Sequence, residues 1–483
     1  MTGDITAEAA RAAFCALPEG AHHGDDPSPE HVYLPRSHLR ALDPNSSLVT
    51  GMRGAGKTFW WSALQDEAVR GLLGRQDPTL EWSQGAQVRI GFGVRPAPDQ
   101  YPGKDVLRSL MGAGAEPRTI WRTVQAWQMA PDDHPLRARG SWSKRVDYVD
   151  DEPEAIDRLF VDRDTECDRQ GVYFLILFDA LDRSADDWKA MYRAIRGLVQ
   201  TALEMRSYRR LRVKVFLRSD QFNEADVGDF PDASKVLSSM VELSWPRREL
   251  YGLLWHRLAN GPDGGSFREF LQPGDWPAAP VDGRSVVWVP RTLIRDGGLQ
   301  RGRFHKIAGE WMGTDHRRGF PYTWIPNHLG DSEGRVSPRS FLAALRAAAE
   351  DTSERYPEWK AALHYEGIKR GVQSASRIRV QEVQEDYPWV HRAMGSLERM
   401  VVPCGFEEIA KRWRSARVVD RLVEEADQVK LPPRRIDRGA DGVREALESL
   451  GIFFRMRDGR VNIPDVYRVG YGLGRKGGVK PIR

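Results

Sequence analysis

The chain has 483 residues, of which 41% are hydrophobic and 29% are charged, and its formal net charge at pH 7 is +4. This balance is typical of an ordinary soluble globular protein of several domains. The longest apolar run, at 172–178, is far shorter than the roughly 20 residues of a membrane-spanning helix, so no membrane contact is expected.

The three cysteines, Cys15, Cys167 and Cys404, are far apart in the sequence. They give no metal-ligand spacing, and their number and separation fit a reducing compartment. The first residues lack the basic region and apolar stretch of a secretory signal. We therefore expect a cytoplasmic protein.

The first predicted domain boundary lies near residue 30. Residues 1–29 begin with an Ala-rich helix and are otherwise expected to be weakly ordered, because 19–29 consists largely of Gly, His, Asp and Pro. A short strand at 48–50 leads into a glycine-rich loop, and a helix is predicted over 58–73. The loop reads Gly51-Met52-Arg53-Gly54-Ala55-Gly56-Lys57-Thr58, which is a complete Walker A pattern between a strand and a helix.

Each residue type in this loop has a chemical reason. Glycines allow the backbone to approach a phosphate closely, and N–H groups from Arg53 to Thr58 can then point at the β-phosphate. Lys57 is predicted to reach the β- and γ-phosphates, and the Thr58 hydroxyl to ligate Mg2+. The loop therefore predicts binding of Mg-ATP. The alternative, a glycine-rich turn with an incidental lysine, is disfavoured by the strand and helix around it.

Further strands and helices alternate after the loop. Strands are predicted at 88–92, 172–178, 213–217 and 241–243, and helices at 154–168, 188–205 and 247–258. This order predicts a three-layer α/β P-loop NTPase domain with a parallel sheet over 30–260. The segment at about 96–151 holds one predicted helix, 118–129, and is interpreted as an insertion.

The apolar strand at 172–178 ends in Asp179-Ala180-Leu181-Asp182-Arg183. A carboxylate at the tip of such a strand, beside a phosphate loop, can hold Mg2+ through water. Taken alone, an aspartate at a strand end is equally a turn residue. With the Walker A loop upstream, Asp179 is predicted to be part of a metal site.

This strand end resembles the Walker B motif of STAND-class P-loop NTPases, which are AAA+-related ASCE ATPases. The match is to NACHT-type members, which have a tiny residue after the Mg aspartate and a second acid further on, and Asp-x-Leu-Asp-Arg is similar to the KAP group. The resemblance implies that Asp179 coordinates the Mg2+ shell and that Asp182 is the base or water-orienting group. Arg183 departs from the NACHT pattern, which has an acid there, so hydrolysis is less firmly implied than nucleotide binding.

Two arginines are candidates for reading the γ-phosphate. The strand at 213–217 ends in Arg218, and the corresponding strand of STAND proteins ends in a sensor arginine; the alternative is a surface ion pair. Ser337 and Pro338 predict a helix start, which places Arg339 in a first turn where the helix dipole disfavours a cation. This arrangement resembles the Pro-Arg of the sensor 2 helix in AAA+ and STAND ATPases. A carboxylate partner for Arg339 is an equal alternative.

The remainder of the chain is predicted to form three regions. Residues 261–335 are rich in Gly, Pro, Asp and Trp and are interpreted as an irregular insertion or linker. Residues 336–430 are predicted to form a helical lid. Residues 431–483 are predicted to form a small winged-helix-like module, because a helix at 442–450 precedes a hairpin signal at Asp458-Gly459.

The charge of the C-terminal end suggests a partner. Residues 430–483 contain 13 Lys or Arg against 6 Asp or Glu. A basic hairpin can touch the phosphates of DNA or RNA, and a structural or regulatory module with a solvated basic face is the alternative.

Two functions follow from these features. The first is an ATP-driven switch or assembly, working as a homo-oligomer or with a partner protein; the STAND and KAP resemblance implies bacterial signalling or antiviral defence. The alternative is a nucleic-acid-binding ATPase, such as a loader, initiator or regulator, that acts through residues 430–483. A small-molecule kinase is disfavoured by the large helical C-terminal half.

Overall fold

Five parallel strands form the main sheet of the computed structural model, which describes residues 5–18, 27–185, 187–222, 224–272, 274–281, 283–426 and 430–475. The strands run in the order β2-β3-β4-β1-β5, and every neighbouring pair is parallel. Their bounds confirm the predicted strands: β1 (Leu48–Gly51), β2 (Gln87–Phe92), β3 (Phe174–Phe178), β4 (Leu211–Arg218) and β5 (Val241–Glu242).

The central strands are buried on both faces. All residues of β3 are buried, and in β4 only the last residue is partly exposed. Helices Lys57–Ala63 and Trp188–Met205 pack against β4, and Pro117–Met129 packs against both β2 and Trp188–Met205. A parallel sheet of continuous apolar strands requires helices on its two faces, and the predicted three-layer α/β architecture is confirmed.

The sheet belongs to one of two units of the chain, here called the sheet unit, which comprises His22–Ser244 and Val281–Gly283. Its helices are Leu39–Leu42, Lys57–Ala63, Glu67–Gln76, Lys104–Gly112, Pro117–Met129, Trp142–Asp151, Pro153–Gln170, Trp188–Met205, Glu224–Val227 and Ala233–Leu237.

The segment interpreted as an insertion, 96–151, supplies part of the helical layer. The predicted helix at 118–129 is present as Pro117–Met129, and its Trp121 donates through Nε1 to the carbonyl of Ala194 at 2.7 Å. A Cβ added at Gly197 would lie 2.6 Å from the backbone nitrogen of Arg118. Glycine at 197 therefore permits the close approach of these two helices.

Two buried polar side chains fix the backbone around β1. His38 accepts a hydrogen bond on Nδ1 from Trp60 Nε1 at 2.9 Å, so its Nε2–H donates to the carbonyl of Ser244 at 3.1 Å. Burial lowers the pKa of His38 to about 3 and keeps the ring neutral. Lys214 of β4 donates to the carbonyls of Ala41, Asp43 and Ser46 at 2.8, 2.9 and 2.7 Å.

The second unit, here called the helical unit, comprises Met1–Ala21, Trp245–Pro280 and Arg284–Arg483. Besides helices it contains the two-stranded pairs β6 (Ala278–Val281) with β7 (Arg284–Val287) and β8 (Phe454–Arg455) with β9 (Val461–Asn462). Its helices are Ala7–Cys15, Arg247–Ala259, Gly264–Leu271, Arg291–Arg295, Gly297–Ala308, Pro321–Leu329, Pro338–Arg355, Tyr365–Asp386, Pro388–Gly395, Phe406–Ser415, Val418–Glu424, Ala440–Ser449 and Asp465–Arg468.

The segment 261–335 is not the irregular linker that its composition predicts, because it contains the helices Gly264–Leu271, Arg291–Arg295, Gly297–Ala308 and Pro321–Leu329. Pro321 is the first residue of its helix, and Asp296 accepts hydrogen bonds from Gly298 N and Leu299 N as the N-cap of another. Pro and Asp are common in loops, whereas here they stand at the first positions of helices.

The Ala-rich N-terminal helix is tied firmly to the helical unit. Arg11 donates to the carbonyls of Pro357, Trp359, Ala361 and Ala362. Of the segment predicted to be weakly ordered, 1–4 and 19–26 lie outside the described residues. Among the helices that are described, none is both long and apolar enough to cross a membrane.

The C-terminal hairpin forms as predicted, with β8 and β9 antiparallel and Gly459 at a positive φ of 82°. A third short segment joins it, because Cys404 and Val461 exchange backbone hydrogen bonds of 3.1 and 2.9 Å. The helix–hairpin arrangement therefore includes residues before 431. The basic tail at 476–483 lies outside the described residues.

Candidate nucleotide-binding site

The Walker A segment forms a tight loop from the end of β1 to the start of Lys57–Ala63. Ala55 N donates to Met52 O at 3.1 Å, and Gly54 and Gly56 have positive φ values of 81° and 103°. Residues with a Cβ rarely adopt this left-handed conformation. The two glycines are therefore required by the path of the loop.

Lys57 lies inside this loop. Its Nζ donates to the carbonyls of Gly51 at 2.7 Å and Met52 at 2.9 Å, and only 8% of the residue is exposed. Burial and the positive charge of Arg218 lower the pKa of Lys57 to about 8, against the opposing effect of the carboxylates of Asp179, Asp220 and Asp182. These charges therefore surround one ammonium group.

Thr58 and Asp179, 121 positions apart in sequence, meet directly. Thr58 Oγ1 donates to Asp179 Oδ2 at 2.7 Å. Asp179 is 3% exposed; burial raises the pKa of its carboxyl, against the opposing effects of the Thr58 hydroxyl and the Lys57 charge. A hydroxyl and a carboxylate oxygen are donors of the kind that Mg2+ prefers, so these two residues fit the predicted metal site.

The turn after Asp179 positions the second predicted acid. Ala180 has a φ of 57°, and Leu181–Arg183 form a single 3-10 turn that places Asp182 within electrostatic reach of Lys57 and Asp179. Asp182 is partly exposed. It therefore lies near the loop and in contact with solvent.

Arg218 ends β4, the strand between β1 and β3, in register with Gly51. Its guanidinium forms a two-point ion pair with Asp220, in which Nη2 donates to Oδ2 at 2.7 Å and Nε to Oδ1 at 3.1 Å. Asp220 was not among the predicted site residues. The available signal was its position two residues after Arg218, just beyond a strand end.

Arg339 belongs to the helical unit. Its helix begins at Pro338 with Ser337 as N-cap, as predicted. Arg339 Nη1 donates to Glu382 Oε1 at 2.7 Å, and Arg379 Nη1 donates to Glu382 Oε2 at 3.2 Å. The carboxylate alternative for Arg339 is therefore present, and a contact with nucleotide stays a prediction.

Comparisons with known proteins give distant likenesses only. No family model matches the chain, and no curated protein matches it. Among solved structures it is similar to the ORC2 protein of Aeropyrum pernix in ADPNP-ADP complexes, with 14% identity, a TM-score of 0.38 and 94% of each chain covered. It is also similar to Cdc6p from Pyrobaculum aerophilum, with 12% identity and a TM-score of 0.30 over 92% of this chain and 94% of that one. Likenesses this distant carry no argument about function, which is therefore inferred from the site itself.

Proposed function

We propose that the protein is a Mg2+-dependent P-loop ATPase that binds ATP at residues 51–58 and hydrolyses it. The observation that carries this proposal is the 2.7 Å hydrogen bond between Thr58 and Asp179. It brings the hydroxyl of a complete Walker A loop to the acid at the end of β3, a buried strand that is separated from β1 by β4. This combination is needed for Mg2+ at bound phosphates and has no evident use in a purely structural turn.

The residues around the Walker A loop have separate proposed roles in binding and hydrolysis of ATP. Backbone N–H groups of residues 53–58 and the Lys57 ammonium would bind the phosphates, and Thr58 and Asp179 would hold Mg2+, which would neutralise charge on the phosphate oxygens. Asp182 would orient the attacking water or accept its proton. Arg218 would contact the γ-phosphate; the same role for Arg339 is proposed from its sequence pattern alone.

The finer role of the ATPase has two candidates. One is a nucleotide-driven switch or assembly in signalling or antiviral defence, supported by the STAND- and KAP-like pattern at 179–183. The other is a nucleic-acid-binding ATPase, which a specific observation favours: a helix is followed by a basic hairpin that is extended by the Cys404 segment, as in a winged-helix module.

The ATPase proposal is tested by Lys57→Ala. Charge-assisted hydrogen bonds contribute about 1.5–3 kcal/mol each, so we expect Mg-ATP affinity to fall by at least ~10- to 100-fold and phosphate release to stop. Lys189→Ala removes an equal charge from an exposed position and serves as the control. Binding is measured by calorimetry and hydrolysis by phosphate release; unchanged values in Lys57→Ala would refute the proposal.

A further inference from the structure

Asp220 forms an ion pair with Arg218, the residue whose positive charge is proposed to contact the γ-phosphate. Both side chains are largely buried, with 12% and 13% exposed, and the pair uses two parallel contacts. An ion pair of this geometry is stronger than a surface pair, since solvent screens it less and the guanidinium fork matches the carboxylate. The guanidinium of Arg218 is therefore held beside the carboxylate of Asp220.

The pairing of Arg218 with Asp220 depends on the local backbone at the end of β4. After β4 ends at Arg218, residues Ser219–Gln221 form a 3-10 turn that brings the Asp220 carboxylate back beside the guanidinium. Ser219 Oγ donates to Glu242 Oε1, at the end of β5, at 3.3 Å. The turn is thus connected to a second strand end on the same edge of the sheet as the Walker A loop.

Both members of the pair act on the phosphate-binding lysine. Arg218 and Asp220 each influence Lys57 electrostatically, with opposite signs. Asp220 therefore places a negative charge within reach of the loop where a triphosphate carries its own negative charges. A carboxylate there repels an incoming phosphate and shares the arginine that would otherwise neutralise it.

We propose that Asp220 is a positioning residue that competes with the terminal phosphate of a nucleoside triphosphate for Arg218. This inference rests on the proposed function of the loop. A triphosphate must draw Arg218 away from Asp220 or share it, whereas a diphosphate has no γ-phosphate to make that exchange. Asp220 thereby weakens the binding of triphosphate more than that of diphosphate.

Asp220→Asn tests the inference through the ratio of two affinities. We expect the affinity for a non-hydrolysable ATP analogue with Mg2+ to rise by about 3- to 10-fold, at or above the upper end of the effect of an exposed ion pair because this pair is largely buried, while the affinity for ADP changes by less than about twofold. In an Arg218→Gln background the same change at 220 should give a clearly smaller selective gain, because the contested cation is gone and only the direct repulsion between Asp220 and the phosphates is removed. Asp105→Asn removes a surface carboxylate of the sheet unit and controls for overall charge.

The possible results distinguish a failure of the proposed role of Asp220 from a failure of the proposed ATPase function. Equal changes for both nucleotides, or weaker binding of the analogue, would overturn the role of Asp220, since a residue that only supports the fold has no reason to distinguish them. If the wild-type protein binds neither nucleotide, the proposed function itself fails. If it binds both, and Lys57→Ala abolishes binding while Asp220→Asn changes nothing selectively, only this inference fails.

Discussion

The backbone conformation of the residue after Asp179 restricts which residues can occupy this position. Ala180 has a left-handed conformation, with φ 57° and ψ 34°, which strains any residue with a Cβ and strains β-branched residues most. This turn also starts the 3-10 segment that carries Asp182. The position between Asp179 and Leu181 therefore disfavours β-branched residues for a conformational reason.

Lys214 gives a prediction about stability and pH. Burial lowers its pKa from 10.5 to about 7, with Asp43 opposing the shift. Between these values the unfolded chain binds more protons than the folded chain, so stability rises with pH. The three carbonyls that accept from Lys214 favour the charged form and moderate the effect.

We therefore expect the free energy of unfolding of the wild-type protein, relative to Lys214→Met, to rise by about 1–2 kcal/mol between pH 7 and pH 9.5. Urea unfolding of both proteins at the two pH values measures this difference, and the shared titration of all other groups cancels. A constant difference would mean that Lys214 stays charged throughout.

At the scale of single residues, the sequence predicts those site residues that belong to short motifs. Gly51 to Thr58 are recognisable because the loop needs glycine at fixed positions, and Asp179 because a carboxylate ends an apolar strand. Asp220 and Glu382 were not predicted as arginine partners. Which carboxylate an arginine selects depends on side-chain conformations and, for Glu382, on the packing of two helices distant in sequence.

At the scale of elements, the basic C-terminal module is less basic at its surface than its composition indicates. Several of its arginines pair with carboxylates of the same module: Arg438 with Glu445, Arg444 with Asp441, Arg455 with Glu448, Arg460 with Asp458 and Arg468 with Asp465. Such pairing reduces the charge that these side chains offer to a nucleic acid. Composition alone could not reveal it.

The proposed nucleic-acid-binding function therefore predicts that two arginines of the hairpin differ in their effect on DNA binding. Arg457 is exposed, and within the described residues it has no ion pair, whereas Arg460 is held by Asp458 at 2.7 Å. If the hairpin binds duplex DNA, Arg457→Gln should weaken binding more than Arg460→Gln and should reduce the salt dependence by about one phosphate contact. Fluorescence anisotropy at several salt concentrations measures both; two variants identical to wild type would exclude the hairpin as the contact.

At the scale of the whole molecule, the alternation of strands and helices was sufficient to predict the parallel sheet, because the strands are separated by helices and β3 is apolar throughout. The division of the chain into the sheet unit and the helical unit was not predictable in this way. The helix Ala7–Cys15 joins the helical unit through contacts of Arg11 with residues more than 340 positions away, and no local pattern encodes such contacts. The helices within 261–335 were missed because their first residues are also loop formers.

The account as a whole depends on a triphosphate and its metal binding where the Walker A loop meets the end of β3. The most direct test is an experimental structure of the protein with Mg2+ and a non-hydrolysable ATP analogue. We predict that Lys57 Nζ leaves the carbonyls of Gly51 and Met52 for the phosphates, and that the metal lies at Thr58 Oγ1 with the Asp179 carboxylate beside it. A nucleotide bound elsewhere, or a metal remote from both Thr58 and Asp179, would contradict the account.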